Sequence, residues 1–299
     1  MIAVLLSTYN GEEYLKEQIE SITKQSDVEW KLYIRDDGST DKTKDILKSY
    51  SSNSNIVVEY GENLGYIQSF LKLLNDHIND AEYFAFCDQD DIWQENKLIK
   101  AYEKLSKLPK NKPSLYHSDL KAVNENLIQI GYKSFENRKK SLGSSISRTF
   151  VSGCTSVFNK ELGELVIKNY QLVKIGHDSW LANVAFSVGA VVYYDDNSYI
   201  LFRRHSNNTS NYKANFLKKL KVEYQMNWKN KNSKLVNAQL LLENYNEQIP
   251  IDIKEVLIKI ATYKNTYFNR VQLLFSRKID TGDWKLNLIN KWLILTGIY

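Results

Sequence analysis

Proline and cysteine are both scarce in this chain of 299 residues, which has three prolines (Pro109, Pro113, Pro250) and two cysteines (Cys87, Cys154). So few prolines, without any low-complexity run, exclude long disordered linkers. Two cysteines build no disulfide scaffold and fit a reducing compartment. Long apolar runs are absent too. Ile2–Leu6 has no basic lead, so no secretory leader is expected. The last apolar stretch, Trp292–Tyr299, falls far short of the roughly 20 residues that cross a bilayer. A cytoplasmic protein is expected. There is no Gly-rich dinucleotide loop and no phosphate-loop lysine, which excludes the two commonest nucleotide-binding folds. No internal repeat marks a solenoid.

What is present is ordinary globular composition, 43% apolar and 25% charged. The length suits one large α/β domain with an appendage, or two domains. The net charge of +5 is unevenly spread. Residues 1–212 carry 25 Lys/Arg against 28 Asp/Glu, whereas residues 213–299 carry 15 against 7. Such a basic, aromatic tail either meets an anionic surface or is simply a solvated helical face.

Ile2–Leu6 reads as a strand buried on both faces. Tyr14, Leu15, Ile19 and Ile22 recur at helical spacing after the turn Thr8–Gly11. Trp30–Ile34, Ile56–Tyr60 and Tyr83–Cys87 read as three further strands, with amphipathic helices between them. This alternation predicts βαβ units and a doubly wound, Rossmann-like, mostly parallel sheet flanked by helices. Further on, strands are predicted at Ser114–Tyr116 and Ala190–Tyr194, with helices over Lys160–Tyr170 and after Asp178. One long amphipathic helix is predicted through Ile253, Val256, Leu257, Ile260, Tyr267, Val271 and Leu274.

Ligands of open α/β sheets bind beyond the carboxyl ends of the strands. Polar clusters fall there: Ser7-Thr8-Tyr9, Asp36-Asp37, Asn63-Leu64-Gly65 and Asp88-Gln89-Asp90-Asp91. Carboxylates this close raise one another's pKa unless a cation neutralises them. Carboxylate ligation suits Mg²⁺ or Mn²⁺, which also bridge diphosphates. The plainer reading is an acidic turn capping the helix near Glu95. In Asp36-Asp37-Gly38-Ser39-Thr40-Asp41, Thr40 or Asp41 caps the next helix, which leaves two adjacent acids unexplained. A buried carboxylate there could accept the imide N–H of a pyrimidine, and Tyr9 could stack on its ring.

These motifs, in this order over roughly residues 1–110, resemble those of family 2 glycosyltransferases with the GT-A fold. His117-Ser118-Asp119, Val151-Ser152-Gly153-Cys154-Thr155, His177-Asp178-Ser179-Trp180 and Arg203-Arg204-His205 extend the resemblance to the bacterial rhamnosyltransferase branch. That branch builds capsule and cell-wall polysaccharides from dTDP-L-rhamnose. The resemblance implies a GT-A domain over 1–212, with a nucleotide-sugar half (1–110) and an acceptor half (111–212). A basic, aromatic helical C-terminal region follows over 213–299.

By position, the resemblance puts Ser7, Tyr9, Asp36, Asp37, Asn63, Asp88, Asp90, Arg203 and Arg204 at the donor. It puts Asp90, Asp91 and His205 at Mn²⁺ or Mg²⁺, Asp178 as catalytic base, and His177 and Trp180 beside the acceptor sugar. Core packing is the competing reading of Trp180, and a structural turn that of Arg203–His205. The implied reaction is inverting, metal-dependent transfer of a sugar, L-rhamnose foremost. The implied partners are a dTDP- or UDP-linked donor and a lipid-linked saccharide acceptor. The basic C-terminal region would touch the inner face of the cell membrane peripherally, and no nucleic acid is expected. The rivals are transfer from a UDP-hexose or UDP-N-acetylhexosamine and a non-catalytic nucleotide-sugar-binding subunit. The intact acids and Asp178 weigh against the second.

Overall fold

The computed structural model describes residues 1–204, 225, 228 and 230–299. Strands and helices alternate from the start: β1 (Ile2–Thr8), α1 (Leu15–Thr23), β2 (Trp30–Asp36), α2 (Thr43–Lys48), β3 (Ile56–Tyr60), α3 (Tyr66–His77) and β4 (Tyr83–Cys87). β1 pairs in parallel with β2 and β4, and β2 with β3. Ile2 to Leu6 are fully buried, which explains a continuous apolar run instead of an alternating one.

The chain continues through β5 (Ile92–Trp93), α4 (Lys97–Leu105), β6 (Ser114–Val123), β7 (Gln129–Lys133) and α5 (Leu142–Ser147). It then adds β8 (Val157–Asn159), α6 (Lys160–Val166), α7 (His177–Ser187) and β9 (Val191–Arg203). The sheet order is β3-β2-β1-β4-β8-β6-β9-β5, with β7 paired to β6. After β3 the chain returns to lay β4 on the other side of β1. That reversal opens a crevice beyond the carboxyl ends of β1 and β4. β8 runs antiparallel to both β4 and β6.

β9 is much longer than predicted. Its polar stretch stays in the sheet because Tyr116 Oη and Asn197 N donate to the buried Asp195 carboxylate, at 2.8 and 3.0 Å. α6 stops short of Tyr170, and Asn169 takes the left-handed conformation (φ 52°) that asparagine tolerates.

The residues form two compact units. The sheet unit comprises Met1–Phe135, Val151–Leu181 and the stretch from Ala190 through β9. The second unit comprises Glu136–Phe150, Ala182–Gly189 and the described residues after 205. Residues 136–150 and 182–189 therefore group with the C-terminal region, and the expected boundary at 212/213 lies outside the described residues. The second unit holds helices Ser233–Tyr245, Ile251–Thr262, Tyr267–Leu274 and Trp284–Thr296. The long helix predicted through Leu274 is in fact two. Thr266 is extended and its side chain accepts from Asn269 N at 3.1 Å, capping a new helix where apolar spacing alone suggested continuity. No helix of the described residues is long and apolar enough to cross a membrane.

Candidate active site

The loops after β1, β2 and β4 are tied to one another. Gln89 Oε1 accepts from Thr8 Oγ1 at 2.6 Å and Tyr9 N at 2.9 Å, which fixes the Tyr9 loop and leaves its ring exposed. Asn10 N donates to Ser39 Oγ at 2.9 Å, and Thr40 N donates to Asn10 Oδ1 at 2.9 Å. Between them Gly38 sits at φ 83°, where an added Cβ would lie 3.0 Å from Asn63 N.

Asp36 and Asp37 are both buried. Asp36 accepts from Ser39 N at 3.3 Å through each oxygen. Asp37 Oδ1 accepts from the buried Arg35 guanidinium and from Leu64 N at 2.9 Å, and Oδ2 from Gly65 N at 2.9 Å. Arg35 also donates to Ser69 Oγ at 2.9 Å and to Glu62 O at 2.8 Å. Ser7 Oγ donates to the same Ser69 hydroxyl at 2.6 Å. Asn63 is exposed, and its Oδ1 accepts from Gly65 N at 3.1 Å. A buried ion pair is costly unless its remaining donors and acceptors are filled, and here all are but one lone pair of Asp37 Oδ2.

The acidic cluster is less well satisfied. Asp91 is fully buried. Its Oδ1 accepts from Arg203 N at 3.1 Å, while Oδ2 has no hydrogen-bond partner among the described residues. Burial, then the charges of Asp90 and Asp178, push the Asp88 carboxyl up to about 7. Burial, then Asp90 and Asp88, push Asp91 well above the carboxylate range. Asp178, on a distant stretch of sequence, thus comes within electrostatic reach of Asp88.

Oxygens of Asp88 and Asp91 and the Cys154 sulfur lie within 4.8 Å of one another. Burial and the neighbouring acids hold the Cys154 thiol up, so oxygen is the donor this cluster offers to a hard divalent cation. The orphaned Asp91 oxygen and the mutually repelling carboxyls fit such an ion. Behind the cluster Lys97 is buried, its Nζ 3.6 Å from the Trp93 ring centroid. Burial brings its pKa down to about 8, against the opposing pull of Cys87, Cys154 and Asp91.

Asp178 lies in the first turn of α7, half-buried, and its Oδ1 accepts from Ser179 N at 2.6 Å. The exposed Tyr66 opens α3, and its hydroxyl feels the charges of Asp178 and Asp88.

Residues 3–165 match the model of glycosyl transferase family 2. The chain belongs to that family. It is 30% identical to the dTDP-rhamnosyl transferase RfbG of Shigella flexneri, over 72% of this chain and 77% of that protein. It is 29% identical to an Escherichia coli protein, the UDP-Glc:alpha-D-GlcNAc-diphosphoundecaprenol beta-1,3-glucosyltransferase WfgD, over 43% of this chain and 49% of that one. Among solved structures, S. aureus TarS 1–349 in complex with UDP superposes with a TM-score of 0.58 at 17% identity, over 90% of this chain and 73% of that one. The mannosyltransferase PcManGT from Pyrobaculum calidifontis, in complex with GDP-Man and Mn²⁺, gives 0.51 at 14% identity, over 99% and 75%. The fold is GT-A, and the protein is a glycosyltransferase.

Against the residues expected from sequence, this glycosyltransferase gathers Ser7, Tyr9, Asp36, Asp37, Asn63, Asp88, Asp90 and Asp91 on the strand-end loops and sets Asp178 near them. Others are placed differently. Trp180 is fully buried and its Nε1 donates to Val166 O at 2.9 Å, so it is core and not a wall for an acceptor sugar.

His177 is buried as well, stacked on Phe70 (centroids 4.0 Å) with Gly153 against it. A Cβ on Gly153 would come within 2.6 Å of His177 Nε2. Burial lowers the imidazole to about 4, and neither ring nitrogen has a partner among the described residues. As the first residue of α7 it packs that helix end against Phe70, closed off from solvent.

Arg203 was expected at a diphosphate. Its guanidinium is instead spent on protein: Nε donates to Asp90 O at 3.1 Å, Nη1 to Glu125 O at 2.7 Å, and Nη2 pairs with Glu17. Arg204 is half-buried, its guanidinium carbon 5.7 Å from the Phe202 ring centroid. His205 lies outside the described residues. Sequence reasoning assigned no role to Arg35, Ser69, Lys97 or Tyr66, and named Gln89 only as a member of the acidic cluster. Only Tyr66 carried a usable signal, as an aromatic directly after Asn63-Leu64-Gly65.

Proposed function

We propose that this glycosyltransferase moves L-rhamnose from dTDP-L-rhamnose, with inversion, onto a lipid-linked saccharide of a growing capsule or cell-wall polysaccharide. The observation that carries the sugar is the 30% identity, over 72% of the chain, to a protein named as a dTDP-rhamnosyl transferase. Tyr9 stacks on the base. Asp37 Oδ2, with one protein donor, keeps a lone pair for the imide N–H. Asp88, Asp90 and Asp91 would hold Mn²⁺ or Mg²⁺, which would supply positive charge for the departing diphosphate. Arg203 braces that cluster through Asp90 O, and the neighbouring Arg204 would supply the cation for the leaving group.

Asp178 takes the proton of an acceptor hydroxyl as that oxygen attacks the anomeric carbon. The bond from that carbon to the diphosphate oxygen breaks on the opposite face, and a single displacement inverts the centre.

A UDP-hexose is the second reading. It is favoured by the likeness to WfgD, named for a UDP-Glc donor, and to TarS, solved with UDP-GlcNAc. Thymine and uracil present the same imide edge, so Asp37 does not choose between them. The sugar pocket must choose, and an apolar wall facing a 6-methyl group rejects an added hydroxyl by about 10²-fold. Incubation with a panel of dTDP- and UDP-sugars, followed by product NMR, tests the assignment. We expect dTDP-L-rhamnose to be the best donor and the product to be inverted. Transfer only from a UDP-hexose overturns the sugar, and retention of configuration overturns the role of Asp178.

A further inference from the structure

The helix Trp284–Thr296 is apolar on two sides. Leu286, Ile289, Leu293 and Ile294 are buried within the helical unit. Trp284, Leu288, Trp292 and Leu295 are instead 70%, 54%, 40% and 52% exposed. At about 100° per residue these four form one stripe about 80° wide. Lys291 and Lys285 fall about 20° beyond its two edges. No Asp or Glu lies within the helix. Lys285 Nζ stands 5.6 Å from the Trp284 ring centroid, so ammonium and indole share one site on the surface. The preceding helix, Tyr267–Leu274, packs on this one and donates to it from Arg270 Nη1 to Leu295 O at 3.2 Å. It adds exposed Tyr267 and Phe268.

A water-facing helix carries polar residues on its outer side. Tryptophan and leucine bordered by lysine suit another medium. The indole sits at headgroup level, the aliphatic side chains reach the acyl boundary, and the ammonium groups meet anionic lipid. We propose that the stripe is a docking face for an anionic phospholipid bilayer. The charge pattern selects this occupant. A second copy of the chain, meeting stripe to stripe, would oppose lysine edges, and the carboxylate of the N-cap Asp283 is already engaged by Lys285 N and Leu286 N. The proposal gives the lipid-linked acceptor reading its surface and rests on that reading for its purpose, though its physics stands apart.

The test mixes the full chain with vesicles of phosphatidylcholine, alone or with one third phosphatidylglycerol, and reads flotation and tryptophan emission. The vesicles contain no saccharide and no nucleotide sugar, so lipid binding and sugar transfer succeed or fail separately. Binding to the anionic vesicles with a blue-shifted emission, and little binding to neutral ones, supports the proposal. Lys285→Gln with Lys291→Gln should weaken binding about 30-fold at low salt, with the difference fading at high salt. Leu288→Glu with Trp292→Glu should weaken it at least tenfold. All variants should keep their melting temperature and their turnover with a short water-soluble acceptor. Three results overturn the proposal: equal binding to neutral and anionic vesicles, unchanged binding by the Leu288→Glu/Trp292→Glu variant, or a solution dimer that this variant dissolves while no vesicle binds.

Discussion

The sheet unit and the helical unit spend their exceptions in opposite ways. In the sheet unit Arg35, Asp36, Asp37, Asp91, Lys97 and Arg203 are all buried. In the helical unit Trp284, Tyr267, Phe268 and Phe275 are all largely exposed. Buried charge is expensive and survives only where partners or a ligand complete it. Around Asp37 the neutralising partners are protein groups, so the ionic network is complete, with one Oδ2 lone pair left over. Around Asp88 and Asp91 it is incomplete, which marks the place where a ligand is due. Exposed indole and hydrocarbon carry the complementary message: a medium other than water completes them.

The largest effect that tests this contrast concerns the incomplete side of the sheet unit. Asp178→Asn should lower turnover by on the order of 10²–10⁴-fold with donor affinity unchanged, since a base acts on the acceptor. Titration calorimetry with donor, beside initial rates, checks both. A parallel collapse of donor binding would move Asp178 into the donor pocket.

Next comes the complete side. Arg35→Met leaves Asp37 buried without its cation and should cost about 3–5 kcal/mol of stability in denaturant titration. Trp284→Ser, on the exposed side of the helical unit, should stay within about 0.5 kcal/mol. Equal effects would erase the contrast.

The third effect is a pH slope. His177 is held near 4, below its unfolded value, so the unfolded chain binds more protons in the window between the two. Its contribution to stability is present above the unfolded value and lost as pH falls. At about pH 5 the loss is on the order of 2 kcal/mol. His177→Phe should flatten the difference in melting temperature between about pH 5 and about pH 7.5. An unchanged slope would mean that the imidazole is reached by water.

The smallest effect has the opposite sign. Asp88 is raised to about 7, so the free protein loses stability from this group as pH rises from the ordinary carboxylate range through that value. An added Mn²⁺ relieves the repulsion and competes with the proton. The Mn²⁺-induced rise in melting temperature should therefore be greater at about pH 8 than at about pH 5.5, and should vanish in Asp90→Ala. A rise that is independent of pH would place the ion elsewhere.

The strands, their order along the chain and the acids at their ends were legible because each is a local pattern. Apolar runs bounded by turn residues need no knowledge of distant neighbours. The errors share one physical cause, which is that composition shows a charge or a ring but not its burial. Arg203 reads as a free cation, yet Glu17, Asp90 and Glu125 surround it. Trp180 and His177 read as a sugar platform, yet Val166, Phe70 and Gly153 enclose them. Arg35, next to last in β2, gave no sign that it would organise Asp37, Ser69 and Ser7. The interrupted helix at Thr266 shows the converse, because two short helices in phase have the same apolar periodicity as one long one.

By itself, then, the sequence determined the βαβ beginning, the identity of the strand-end acids and the basic bias of the last third. Periodicity, turn chemistry and charge are properties of neighbouring residues. Only the tertiary structure decided that β4 returns beside β1 to open the crevice, and that Asp178 stands within reach of Asp88. It also decided which charges are consumed by protein partners. Those outcomes depend on strand order and burial, which arise from contacts between residues far apart in the chain.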